Sequence, residues 1–295
     1  MRDAGERVVL TSAAIRARRH PWALVGLWGW QTLVAVGASY PAAALVCTTY
    51  GTGPRSDAPL WDAGAHPLLD FVWHGARGIA PVTAAAKIAL GVGAVAGLLP
   101  MAGVMVAMAH GAHDRRAAGF VSTMTRALRA MPPLLALFGI ASIAQVSVIA
   151  IGFAAGWAVE AWAHGAMGEN RAERMGVTVG FMFLLAASGI GVVHDLARAA
   201  VVRLHTSGTR AFVLGAQIFG RTPLPLWWSW AWRALAALTL VIVASVVATR
   251  IGGRGGAALV GLALVHQGVV AWRLAWRASW LAKALRSVSL EAPAE

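Results

Sequence analysis

Apolar positions in this chain gather into long runs, separated by short polar segments that carry most of its charge. Six runs are long enough to suggest membrane crossings: about Trp22–Val46, Ile88–Ala109, Leu134–Ala158, Val177–Val193, Leu226–Ala248 and Ala257–Ala271. A crossing takes about 20 apolar residues, because the hydrocarbon core is roughly 30 Å thick and a helix rises about 1.5 Å per residue. The fourth and sixth runs are shorter but continue into basic helical sequence. The pattern predicts an all-α membrane protein with six transmembrane helices in a single integral domain over residues 1–295. Pro100 falls inside the second run, where a missing N–H predicts a kink.

The odd-numbered spans open alike. Ala14-Ile15-Arg16-Ala17-Arg18-Arg19-His20-Pro21, Thr125-Arg126-Ala127-Leu128-Arg129-Ala130-Met131-Pro132 and Gln217-Ile218-Phe219-Gly220-Arg221-Thr222-Pro223 each set Arg shortly before Pro. Proline suits a first helical turn, where its absent N–H would lack a partner anyway. The implied unit is an interfacial helix, a bend at Pro, an outward span, a loop and a return span. Three such two-helix repeats make six helices. Arg-then-Pro also serves any helix leaving the cytoplasmic face, repeat or not.

The linking segments read as cytoplasmic interfacial helices. Phe120, Met124, Leu128 and Met131 share one helical face, and Trp272, Trp276 and Trp280 recur every fourth residue. A groove on a partner protein would use the same stripes. Other tryptophans cluster at span ends, among them Trp22, Trp28, Trp30, Trp157, Trp162, Trp227, Trp228, Trp230 and Trp232. Indole favours the headgroup zone because it joins an apolar body to a polar edge. The longest external segment, about residues 48–82, holds Pro67-Leu68-Leu69-Asp70-Phe71-Val72-Trp73, a candidate short helix on the outer leaflet.

Composition sharpens the class. The chain is 58% hydrophobic and only 13% charged, where ordinary soluble domains carry roughly a quarter charged residues. The net charge of +13 does not point to nucleic acid, because the basic residues sit between apolar spans instead of forming one face. Anionic lipid headgroups account for them better. Of 25 Lys and Arg, only Arg55, Arg77, Lys87, Arg171, Arg174, Arg250 and Arg254 fall on the expected outer side. By the positive-inside rule both termini are cytoplasmic, in a bacterial inner membrane. Half of the 12 acids (Asp57, Asp62, Asp70, Glu160, Glu169, Glu173) offset the outer cations. Cys47 is the single cysteine, so no internal disulfide or cysteine-based metal cluster is expected. Residues 22–46 read as a retained helix, since neither Arg18-Arg19 nor Val46-Cys47 comes with a convincing cleavage site.

Charged groups in hydrocarbon usually mark function, and none falls near the predicted midplane. Polar groups there are Gln145 in the third span, and His266 with Gln267 in the sixth. Such side chains commonly join helices at on the order of 1 kcal/mol each, although a polar path past Gln145 and His266 would use them too. Two His-Asp pairs end even-numbered spans: His113-Asp114 after the second, and His194-Asp195, followed by Arg198, ending the fourth. Asp195 and Arg198 are spaced for an ion pair on one helical face. A divalent metal between His110, His113, Asp114, His194 and Asp195 would require those groups to converge. No P-loop, dinucleotide fingerprint, nucleophile elbow or His-Glu-x-x-His occurs. Gly93 and Gly97 have the small-xxx-small spacing of close helix contact.

The six spans, the Arg-then-Pro entries and the His194-Asp195-Leu196-Ala197-Arg198 exit resemble uncharacterised bacterial six-helix integral membrane proteins. That broad group includes the membrane domain associated with some glycerophosphodiester phosphodiesterases. Relatives in that group are expected to carry an Asp-Tyr-Ala-Arg-like string, whereas Leu196 stands in the tyrosine's place here. The resemblance implies layout and no activity, since no phosphodiesterase catalytic domain accompanies the spans. These features point first to a non-enzymatic structural, assembly or accessory protein, binding membrane lipids and either partner membrane proteins or a second copy. No catalytic, cofactor or metal residue is assigned. A transporter or channel is the second expectation and a membrane-embedded metal enzyme the third.

Overall fold

The computed structural model describes residues 20–50, 76–110, 119–251 and 257–291. All regular structure among them is helical: α1 (Pro21–Tyr50), α2 (Ala76–Ala96), α3 (Leu98–His110), α4 (Phe120–Met167), α5 (Glu169–Leu204), α6 (Gly208–Arg221), α7 (Pro223–Ile251) and α8 (Ala257–Glu291). Four stretches are long and apolar enough to cross a bilayer: Ala80–His110, Phe120–Met167, Glu169–Leu204 and Pro223–Ile251. That is four among the described residues, not the six expected. The other two expected spans lie in α1, of 30 residues, and α8, of 35. Both are long enough, but polar pairs interrupt their apolar runs, Gln31-Thr32 in α1 and His266-Gln267 in α8.

The chain divides into two compact units. One comprises Met105–Ala231 with the chain from Trp280 on; the other comprises Ala17–Val104 with Trp232–Ser279. The candidate external helix at 67–73 lies outside the described residues.

In the second unit α1 packs on α2. Gly93 allows this, because a Cβ there would overlap the Val34 side chain, and Trp30 donates its indole N–H to the Gly93 carbonyl at 3.3 Å. The small-xxx-small spacing thus serves close approach, as expected. The second expected span breaks at Gly97 into α2 and α3, just before Pro100. Proline cannot donate back along the helix, so the break falls where that bond is lost.

The first unit is organised around α4 and α5. The reading of an interfacial helix and a bend at Pro132 does not hold for α4. Pro132 and Pro133 sit within one uninterrupted helix of 48 residues, about 72 Å long at the usual rise. Packing explains the continuity. Thr123, Ala127, Ala130, Leu134, Leu137 and Ala141 form a buried stripe running through the proline pair, so packing holds the helix on both sides of it. Phe120, Val121 and Leu128 face outward. At the fifth entry the expected break does occur, between α6 ending at Arg221 and α7 beginning at Pro223.

A single residue, Gly168, joins α4 to α5 with φ of +78°. Side chains strain that backbone, so glycine is required. Above the turn the helices meet at Gly156 and Gly176, where a Cβ on either would lie 2.9 Å from the other's carbonyl oxygen. α6 packs on both helices through a small face of Gly208, Ala211 and Gly215. Larger apolar residues of the spans point outward: only 11% of the most apolar window of α7 is buried. Unbroken runs of buried residues in this unit lie instead at helix ends, in Met105–Ala109, Val192–Ala197 and Trp280–Ala282.

Gly156→Val should loosen the α4–α5 hairpin by about 1–3 kcal/mol through overpacking. Gly165→Ala, whose new Cβ meets open space, should change stability little. Thermal unfolding in detergent would compare the two; equal effects would remove the close-approach account.

Candidate functional site

Among the described residues of the first unit, Asp195 is the most buried charged side chain, at 2% exposure. It sits in the last turns of α5, where Val192 to Val202 is enclosed on nearly every side. A carboxylate taken out of water needs partners. Arg198, one turn on, donates to Oδ1 at 3.3 Å, and the Trp280 indole N–H donates to Oδ2 at 2.8 Å. Trp280 is itself 1% exposed. One carboxylate therefore ties α5 to the start of the buried end of α8, far apart in sequence. His194 lies beside it, 7% exposed, its ring centroid 6.5 Å from that of Phe138 on α4.

Among the expected candidates, the structure thus brings together His194, Asp195 and Arg198. His113 and Asp114 lie outside the described residues. Among the described residues no three His, Cys, Asp or Glu side chains group as a metal site. Gln145 donates to the Ala187 carbonyl at 3.2 Å, joining α4 to α5 as helix glue. His266 bonds through Nδ1 to the Leu262 carbonyl of its own helix at 2.9 Å. Gln267 accepts from the Thr32 hydroxyl at 3.4 Å, linking α8 to α1. Gln145 belongs to the first unit, His266 and Gln267 to the second. Cys47 is exposed.

No family model, curated protein or solved structure matches this chain. The arrangement itself has to carry the functional reading.

Spacing alone misassigned Trp280. The Trp272, Trp276 and Trp280 stripe was expected to lie at the interface, but its members have different fates. Trp272 is 56% exposed and meets Trp276 edge-on at 5.7 Å, Trp276 also meets Trp232, and Trp280 is core. Arg233 lies over the Trp232 ring at 4.5 Å, a cation–π contact. A second missed link is the Trp227 indole, which donates to the Ser188 hydroxyl at 2.7 Å between α7 and α5. The sequence signal for both was an indole within reach of a polar residue on another helix, which spacing within one helix cannot reveal.

Chemically, the Asp195 cluster is a lock. Both carboxylate oxygens are engaged and solvent is excluded, so the group is poorly placed to take a proton from a substrate. Trp280→Phe keeps most of the ring but removes the N–H, and should cost on the order of 1–3 kcal/mol by stranding a buried acceptor. Combined with Asp195→Asn, the loss should be clearly less than additive. Thermal or denaturant unfolding in detergent gives the cycle; strict additivity would mean that the two side chains are not coupled.

Proposed function

We propose that this chain is a non-enzymatic protein of the bacterial inner membrane, acting as a structural, assembly or accessory component. One contrast carries the reading. The Asp195 carboxylate and the Gln145 amide, both chemically capable groups, are committed to bonds between helices. Large apolar side chains of the spans, such as Ile143, Val146, Phe153, Leu235 and Ile242, instead face outward. Lipid and partner helices are the natural neighbours of such faces.

In this reading α1 and α8 also cross the bilayer, completing six spans in three two-helix units, a layout like that of the six-helix proteins the sequence resembles. The α6–α7 junction, with Arg221 just before Pro223, supports the repeat at its third entry. Both termini lie at the cytoplasmic face. Anionic headgroups meet the cations there, Arg126 and Arg203 among them, both close enough to His110 to act on it electrostatically.

Photocrosslinkers at Ile143 and Leu235 test this in cells. The expected result is a discrete adduct with another membrane protein or a second copy from at least one position. A monomer that crosslinks only to lipid and carries solute in proteoliposomes would replace the accessory role with transport. Tags at the two ends should both report the cytoplasm; opposite compartments would overturn the six-span arrangement.

A further inference from the structure

A slot of about 390 Å³ opens between α4 and α5 within the first unit. Its floor is Gly152, Gly156, Gly176 and Gly180, and aromatic side chains including Phe153 and Trp157 stand at its sides. Gly156 and Gly176 bring the two backbones together, and Gly180, where a Cβ would meet open space, leaves a furrow beside that contact. The size lies within the roughly 300–1,000 Å³ of small-molecule sites.

We propose that this slot binds one phospholipid and that its mouth selects a zwitterionic headgroup with a primary ammonium, as in an ethanolamine phospholipid. The inference rests on α4 and α5 crossing the bilayer, as read above. Length supports an acyl chain as the occupant. From Ile149 to Trp157 the lining runs about 12 Å along α4, most of the roughly 15 Å of hydrocarbon per leaflet. Gln145 lies near the middle of the expected span Leu134–Ala158, so Glu160 falls just beyond its end, at headgroup depth.

Charge supports the headgroup. Glu160 is the charged member of the lining and is half-buried. Among the described residues no hydrogen bond or ion pair engages its carboxylate. An ammonium can donate to it directly, a charge-assisted contact, while Trp157, 74% exposed, offers an indole beside the same mouth. Arg171 and Arg174 begin α5 at this end, just past the Gly168 turn. Glu169 and Glu173 share those turns, so the mouth carries three carboxylates with Glu160 beside two guanidiniums, and this mixture of signs suits the ammonium and phosphate of a zwitterion. A net-negative glycerol phospholipid would leave Glu160 facing no cation.

The test uses the purified full chain, stripped of lipid in detergent and titrated with ethanolamine, choline and glycerol phospholipids of identical acyl chains, read by native mass spectrometry. The ethanolamine lipid should be retained about fivefold better than the glycerol lipid, the scale of one charge-assisted contact near a surface. Glu160→Gln should abolish that preference while lipid still binds. Gly180→Leu, whose Cβ meets open space, should fill the slot and weaken retention of all three, with an unchanged melting temperature as the check on folding. Equal retention of ethanolamine and glycerol lipids, equal retention of choline and ethanolamine lipids, or an unchanged preference in Glu160→Gln would each overturn the assignment. A chain that stays in solution without detergent would instead overturn the membrane reading beneath it, and the two failures look different.

Discussion

In hydrocarbon there is no water to satisfy backbone N–H and C=O groups, so a chain that crosses lipid must satisfy them within each segment. The same solvent removes the usual reason for helices to associate, since lipid tails are as apolar as leucine. What remains is close contact and a few polar bonds. Helix pairing in this protein follows from that shortage. Gly156 meets Gly176, Gly93 receives Trp30, and Gly208 and Gly215 let α6 down onto α4 and α5. Large apolar residues are left for the outside. The result inverts the pattern of a water-soluble bundle, with small residues within and bulky ones without.

Where the helices leave the apolar stretch, the rule changes. The ends of α5 and α8 are packed on nearly all sides, and the cost of burying Asp195 is offset by Arg198 and Trp280. A buried pair of this kind adds little net stability compared with apolar packing, but it penalises misregistered alternatives strongly, because a stranded carboxylate is expensive. The lock and the glycine contacts thus act at different levels: one sets register near the helix ends, the other sets distance along the spans.

The two unequal stretches of α4 show how packing overrides a local signal. Pro132-Pro133 reads as a boundary, and alone it would weaken a helix. The buried stripe from Thr123 to Ala141 continues on both sides of it, and many small contacts outweigh the missing bonds. At Gly97, three residues before Pro100, the helix does break, into α2 and α3. A proline inside an apolar run therefore has two outcomes in this chain.

From sequence alone came the all-helical class, the apolar stretches that became α2–α5 and α7, the Pro100 break, the entry at Pro223, and the pairing of Asp195 with Arg198. Each follows from spacing within one segment or from the solvent each segment needs. Tertiary structure decided what spacing cannot encode: that Trp280 belongs with Asp195 and not with Trp272, that Gln145 bonds the carbonyl of Ala187, and that four scattered glycines line one furrow with Glu160 at its end. Those depend on which helix faces which. That choice is made by contacts between residues far apart in the chain, where one indole or one missing Cβ decides the neighbour.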